Sequence, residues 1–165
     1  MITGGQRSGK SQLAEEMALS LSPKPVYIAT ARVWDDEFRH RVELHKQRRG
    51  QEWTTYEEPL DVASVSLCED DTVLFDCVTL WATNWFFECD EDSDKALTAM
   101  KEQLDLLCTK CRHIIFVTNE IGLGGVAENA MQRKFTDLQG NINRHIAGLA
   151  SEVYMSISGI PLKLK

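Results

Sequence analysis

Residues 4–11 constrain this chain more than any other stretch. They read Gly-Gly-Gln-Arg-Ser-Gly-Lys-Ser and fit G-x-x-x-x-G-K-[ST], the pattern of a phosphate-binding loop. In such a loop main-chain N–H groups surround nucleotide phosphates, the lysine contacts the β- and γ-phosphates, and the final hydroxyl can ligate Mg²⁺. We therefore predict an NTP site with Mg²⁺. Its predicted phosphate-binding residues are Gly4, Gly5, Gln6, Arg7, Ser8, Gly9, Lys10 and Ser11.

The residues around the loop agree with this motif. Apolar residues recur at helical spacing after Ser11, so the loop is expected to lead into a helix over 12–21. The N-terminus of that helix would direct free N–H groups and a positive dipole end at the phosphates. Only three residues precede the loop, fewer than an average strand of about five residues. Either the first strand is a stub or the chain continues upstream.

Apolar runs and turn residues predict the order of the other elements. Strands are expected over 26–30, 53–57, 72–76 and 113–118, and a terminal hairpin over 152–158 and 161–165. Helices are expected over 36–49, 60–68, 78–87, 94–109 and 128–150, the last bent or broken near Gly140. This pattern predicts one α/β domain spanning 1–165. We expect a three-layer α/β/α phosphate-loop fold with a mostly parallel sheet and an antiparallel C-terminal edge hairpin.

Ligands of parallel sheets bind beyond the carboxyl ends of the strands. Ala29, Thr30 and Ala31 end one predicted strand and should border the nucleotide, although an ordinary strand end explains them equally well. Asp76 ends another strand, and a phosphate-loop protein needs an acid there to help hold Mg²⁺. The alternative for Asp76 is the N-cap of the following helix.

Composition excludes several classes of function. A net charge of −7 argues against a nucleic-acid partner, and no apolar run reaches the length of a membrane span. The five cysteines are odd in number and irregularly spaced, which favours reduced thiols and a cytoplasmic protein. Cys108-x-x-Cys111 has no second pair nearby and is interpreted as structural. The aromatic residues of 81–87 indicate either core packing or a contact between subunits.

The phosphate loop by itself does not separate kinases, ATPases and GTPases. The guanine-reading N-K-x-D of switch GTPases is absent, since Asn119 is followed by Glu120. Other blocks, spread over nearly the whole chain, are more specific. They are Thr3-Gly4-Gly5-x-Arg7-Ser8-Gly9-Lys10-Ser11, Tyr27-Ile28-Ala29-Thr30, Asp36-Glu37, Arg41-Val42-x-x-His45-Lys46-x-x-Arg49, Trp53-x-Thr55-x-Glu57, Asp76-Cys77-Val78-Thr79-Leu80-Trp81 with Asn84, Val117-Thr118-Asn119-Glu120-Ile121-Gly122-x-Gly124, Arg133-x-Phe135-x-Asp137-x-x-Gly140-x-x-Asn143 and Ser158-Gly159-Ile160.

With these blocks the chain resembles the adenosylcobinamide kinase / adenosylcobinamide-phosphate guanylyltransferase family of cobalamin biosynthesis. The resemblance implies two reactions: phosphorylation of adenosylcobinamide by ATP or GTP, and transfer of GMP from GTP to adenosylcobinamide phosphate. It implies a covalent GMP–histidine at His45, with Lys10 serving phosphate binding. It further implies that Glu57 and Asp76 contact the nucleotide or its metal, and that the protein is a homo-oligomer, a trimer.

The residues themselves agree with a nucleophilic His45. A neutral imidazole is a competent nucleophile near pH 7, and a covalent intermediate divides one difficult displacement into two easier ones. Arg41 shares its helical face, and Lys46 and Arg49 add cations that can neutralise phosphoryl charge and contact the nucleotide. Without the resemblance, a surface histidine in a charged helix is the simpler interpretation. Two alternative functions stay open: guanylyl transfer alone, and a non-catalytic nucleotide-dependent switch. ATP or GTP preference and the corrinoid docking site are also open.

Overall fold

One seven-stranded sheet organises the chain. The structure, a computed structural model, describes residues 1–33 and 36–165, except for the side chains of Phe38, Arg41, Leu44, His45, Gln47 and Arg48. The strands are β1 (Ile2–Gly4), β2 (Val26–Ala29), β3 (Thr54–Glu57), β4 (Thr72–Asp76), β5 (His113–Val117), β6 (Tyr154–Ile157) and β7 (Ile160–Lys163). The helices are α1 (Lys10–Leu21), α2 (Asp36–Arg48), α3 (Val78–Glu88), α4 (Ser93–Cys108) and α5 (Ala130–Leu149).

The strand order is β3-β2-β4-β5-β1-β6-β7. All neighbouring pairs are parallel except β6 and β7, which form an antiparallel edge hairpin. The predicted mostly parallel sheet with an antiparallel C-terminal edge is therefore confirmed. β1 has three residues and lies between β5 and β6.

Helices cover both faces of the sheet. Leu74 of β4 points toward α1 and packs with Ala14 and Ala18, whereas its neighbour Phe75 points to the opposite face, where Trp81 and Met100 pack. Successive side chains of a strand alternate between the two faces, so a strand buried on both sides must be apolar throughout. This explains the continuous apolar runs of β4 and β5, and it confirms the three predicted layers.

Two predicted helices differ from the structure. The predicted helix over 60–68 is wrong: only a 3₁₀ turn, Val62–Ser64, forms there. The Ala63 N–H donates to Gln103 Oε1 of α4 (2.9 Å), and the Leu60 carbonyl oxygen accepts a hydrogen bond from Trp81 Nε1 of α3 (2.9 Å). Neighbouring helices thus take main-chain groups that a helix over 60–68 would pair internally. Val65 is then extended and buried at 5% exposure, so tertiary packing overrides the weak helical pattern.

The predicted break near Gly140 is also wrong. α5 runs through this glycine as one helix of 20 residues. Its buried stripe of Leu138, Ile142 and Ile146 continues on both sides of Gly140, and burial of an amphipathic face outweighs the roughly 1 kcal/mol penalty of one interior glycine.

The aromatic segment of α3 is mainly core. Trp81 and Phe86 are 0% and 1% exposed, whereas Phe87 is 47% exposed. The five cysteines are free thiols, including Cys108 and Cys111. In the described part of the chain, no helix combines the length and apolar character that crossing a membrane requires.

Candidate active site

The phosphate-loop sequence forms a tight turn between β1 and α1. Gly4 has a φ of 148° and Gly9 a φ of 92°, conformations that L side chains rarely adopt. A Cβ on Gly4 would overlap the carbonyl oxygen of Ser156 in β6, so the loop and the C-terminal hairpin are packed closely there. The Ser8 carbonyl oxygen accepts hydrogen bonds from Ser156 Oγ (2.5 Å) and from the N–H of Gly159 (2.9 Å). The edge hairpin therefore braces the loop.

A cavity of about 790 Å³ lies above this loop at the carboxyl ends of the parallel strands. Loop residues 5–11 line it, together with Ala29 and Ala31 after β2 and Asp76 at the end of β4. Ala29, Asp76 and Val117 are register partners across β2, β4 and β5, so the strands end level with one another. The structure thus brings most predicted nucleotide and metal residues to one cavity.

Lys10 lines this cavity and is 7% exposed. Its Nζ donates a hydrogen bond to the Gly5 carbonyl oxygen at 2.6 Å. Burial lowers the pKa of Lys10 from its ordinary value, while Cys77 and Asp76 act to raise it. Ser8 Oγ is buried and has no hydrogen-bond partner among the described residues. A buried cation and an unsatisfied hydroxyl are suited to a phosphate group.

Asp76 is held by a tyrosine at the floor of the cavity. The Tyr27 hydroxyl donates to Asp76 Oδ2 at 2.7 Å, and the Arg49 guanidinium lies 3.7 Å from the Tyr27 ring centroid. Burial, and then Asp76, raise the pKa of Tyr27 well above its ordinary value, so the hydroxyl remains a donor. Mg²⁺ prefers few protein oxygen ligands together with substrate phosphates. The Asp76 carboxylate and the Ser11 hydroxyl, which line the same cavity, fit that requirement.

The alternative interpretation of Asp76 as a helix N-cap is wrong. The N-cap of α3 is Cys77, whose Sγ accepts the Leu80 N–H at 3.4 Å. Burial, followed by the nearby Asp76, raises the pKa of Cys77 to about 12. Cys77 is therefore a neutral thiol with a structural role, and Asp76 is left facing the cavity.

Thr30 differs from its neighbours Ala29 and Ala31. Its side chain is fully buried, and its Oγ1 donates to the Cys77 carbonyl (2.8 Å) and accepts the Cys77 N–H (3.0 Å). The Thr30 side chain thus fastens β2 to the start of α3, whereas Ala29 and Ala31 line the cavity.

The second helix passes the mouth of the cavity. Val42 of α2 and Arg49, which directly follows α2, both line the cavity. Lys46 forms an ion pair with Glu57 at the end of β3, and both side chains are largely exposed outside the cavity lining. The side chain of His45, the predicted nucleophile, lies outside the described residues, as does the side chain of Arg41.

Several cavity residues were not predicted. Tyr27 and the loop after β5 were quoted only within the family blocks and were given no role in the site, although Tyr27, Asn119, Glu120 and Ile121 line the cavity. The signal for this loop was available, because it follows the carboxyl end of a parallel strand just as Asp76 does. The contribution of Tyr27 depends on its pairing with Asp76 across two strands, which spacing alone does not reveal.

Comparisons with known proteins agree with this geometry. The family described as cobinamide kinase / cobinamide phosphate guanyltransferase matches residues 1–164. The chain is 35% identical to the bifunctional adenosylcobalamin biosynthesis protein CobU of Salmonella typhimurium and 36% identical to that of Escherichia coli, covering 100% of this chain and 98% of each relative. It is 38% identical to the bifunctional adenosylcobalamin biosynthesis protein CobP of Pseudomonas aeruginosa, covering 100% of this chain and 96% of the relative.

Proposed function

Because the chain belongs to the cobinamide kinase / cobinamide phosphate guanyltransferase family, and is thus a bifunctional enzyme of adenosylcobalamin biosynthesis, we propose how its residues carry the two reactions. In the first, the phosphate-loop cavity binds ATP or GTP, and the γ-phosphoryl group passes to a hydroxyl of adenosylcobinamide. In the second, a His45 nitrogen attacks the α-phosphorus of GTP and pyrophosphate leaves. The GMP then passes from His45 to the phosphate of adenosylcobinamide phosphate, which regenerates the free imidazole.

The position of α2 carries the histidine proposal. Val42 and Arg49 both line the cavity, and they are seven residues apart, which is two helical turns. Position 45 falls three residues after Val42 and four before Arg49. Residues at i, i+3 and i+7 share one face of a helix, so position 45 belongs to the side of α2 that borders the cavity.

Contacts at the C-terminal end of α2 support this arrangement. The Lys46–Glu57 pair ties α2 to β3, and Arg49 rests on the Tyr27 ring, whose hydroxyl is bound to Asp76. We assign Arg49 to the nucleotide phosphates. We assign Lys46 and Glu57 to the nucleotide after a rearrangement of their ion pair. Mg²⁺, held by Ser11 and Asp76, would neutralise phosphate charge in both reactions.

We take residues 1–165 as one catalytic domain and place the protein in the cytoplasm, in keeping with its five free thiols.

We further propose that it assembles as a homotrimer. The edge hairpin offers a surface for such contacts, since Ile157, Ile160 and Leu162 are 51%, 70% and 53% exposed. Light scattering coupled to size exclusion is expected to give three times the chain mass of 18.7 kDa. A monomer at micromolar concentration would rule the trimer out.

Labelled nucleotides test the two reactions separately. The purified protein incubated with Mg²⁺ and GTP labelled at the α-phosphate is expected to acquire an acid-labile label, with release of pyrophosphate. With γ-labelled ATP or GTP and adenosylcobinamide, the label is expected in the corrinoid product instead. A protein that phosphorylates adenosylcobinamide but never takes the α-label would contradict the histidine intermediate. A protein that does neither would support a nucleotide-dependent switch.

A further inference from the structure

Glu120 is a second carboxylate of the cavity, and neither reaction as described above uses it. We propose that Glu120 accepts the proton of the adenosylcobinamide hydroxyl as that oxygen attacks the γ-phosphorus in the kinase step. This assignment rests on the proposed use of the phosphate-loop cavity for phosphoryl transfer.

The main chain fixes Glu120 against the phosphate loop. Glu120 follows β5, the neighbour of β1, and its N–H donates to the Gly4 carbonyl oxygen at 3.1 Å. One carboxylate oxygen, Oε2, accepts a hydrogen bond from Thr3 Oγ1 at 3.4 Å. Both contacts are to the residues that open the loop. The Glu120 side chain is therefore held at the phosphate end of the cavity, where an acceptor hydroxyl must arrive.

A buried polar network holds the preceding residue as well. The Asn119 N–H donates to Thr79 Oγ1 at 2.9 Å, and its carbonyl oxygen accepts Asn143 Nδ2 at 3.1 Å. Asn143 in turn accepts hydrogen bonds from Thr118 (2.6 Å) and Gln139 (2.8 Å), both almost fully buried. Helices α3 and α5 thus clamp the segment on either side. Rigid support of this kind is what a group acting in proton transfer requires.

The two carboxylates of the cavity differ in their partners. Among the described residues that line the cavity, Asp76 and Glu120 are the carboxylates. Asp76 accepts from the Tyr27 hydroxyl and lines the same cavity as Ser11, the other predicted Mg²⁺ ligand. Glu120 forms no ion pair with any described cation, so its charge is not already neutralised by the protein. A carboxylate without a cationic partner can accept a hydrogen bond, and then the proton, from an acceptor hydroxyl.

The proposed step is balanced as follows. A lone pair of the substrate hydroxyl oxygen forms the new bond to the γ-phosphorus, and the bond from that phosphorus to the β-bridging oxygen breaks. The electron pair of the broken bond leaves with ADP or GDP. The hydroxyl proton moves to a Glu120 carboxylate oxygen and is later released to water. In a loose transition state much of the rate enhancement comes from orienting the attacking hydroxyl. The same carboxylate orients the hydroxyl by accepting its hydrogen bond.

The test compares both activities in one protein. Glu120→Gln keeps the size and the hydrogen bond from Thr3 but removes the base. We expect kcat for phosphoryl transfer from γ-labelled ATP to adenosylcobinamide to fall by about 10²-fold or more. The KM for ATP and the rate of α-labelling of the protein by GTP should stay within about twofold of wild type, since neither involves the acceptor hydroxyl. Glu120→Asp should recover part of the lost kcat.

Two further variants keep the result interpretable. Asp76→Asn is expected to reduce both activities, because Mg²⁺ serves both triphosphate reactions. Glu69→Gln changes an exposed carboxylate outside the cavity and should leave both activities as in wild type. The Glu120 proposal is overturned if Glu120→Gln retains the kinase rate, or if it loses α-labelling and kinase rate equally. Loss of α-labelling in the wild type would instead count against His45, and the kinase rates would still decide the role of Glu120.

Discussion

Replacement of His45 by alanine is expected to abolish labelling of the protein by α-labelled GTP. Removal of a covalent nucleophile typically costs several orders of magnitude in rate, so we expect GMP transfer to adenosylcobinamide phosphate to fall by about 10³-fold or more. The kinase reaction does not use this imidazole and should change by less than about threefold. The measurement is the ratio of α-label on the protein to γ-label on the corrinoid, with each variant at saturating nucleotide.

His40→Ala is the matched control. His40 lies on the same helix, five residues before His45, and is exposed. A separation of five residues places the two positions on different sides of α2, so His40 should be dispensable for both reactions. If His45→Ala retains the label while His40→Ala loses it, the nucleophile is misassigned. If both variants retain it, the covalent intermediate is formed by a residue other than these two histidines.

The phosphate-binding half of the site was predictable because its chemistry depends on local sequence. Gly4, Gly9 and Lys10 belong to one short loop. The main-chain conformations of the two glycines and the charge of the lysine are needed wherever this loop occurs. Asp76 was predictable for a related reason. A carboxylate that ends an apolar strand of a parallel sheet must face the ligand edge, and the register of β4 with its neighbours places it there.

The rest of the site depends on contacts between distant parts of the chain. Tyr27 acts through Asp76, 49 residues away, and Asn143 supports the loop after β5 from a helix 24 residues further on. Neither pairing leaves a periodic signal. Tertiary contacts also explain the wrong helix over 60–68, since Gln103 and Trp81 bond main-chain groups of Ala63 and Leu60 that a helix would pair internally. Thr30 was predicted to border the nucleotide from its position at a strand end. Position alone does not reveal that its hydroxyl is hydrogen-bonded to the main chain of Cys77.

Lys10→Met is expected to eliminate both activities while leaving the fold intact. Lys10 is the buried cation of the phosphate loop, and both reactions require a triphosphate bound there. Loss of one well-placed charge that stabilises a phosphoryl transition state costs about 10²–10³-fold in kcat, and weaker binding of the triphosphate adds to the loss in kcat/KM. Both labelling assays should therefore fall together, unlike the selective losses expected for His45→Ala and Glu120→Gln.

The unfolding temperature of Lys10→Met separates a loss of phosphate binding from misfolding. The direction of the pKa shift of Lys10 predicts whether the substitution raises or lowers that temperature in the absence of nucleotide. Burial lowers that pKa in the folded protein, so protonated Lys10 favours the unfolded chain. The penalty is complete below the folded pKa and disappears as the pH rises toward the ordinary value for lysine. At neutral pH, ligand-free Lys10→Met should thus unfold at the same temperature as wild type or higher, but without the increase that GTP and Mg²⁺ give to wild type. Lys24→Met, at an exposed position, should keep that increase. A Lys10→Met protein that is strongly destabilised without nucleotide, or that GTP still stabilises fully, would show that Lys10 supports the fold rather than the phosphates.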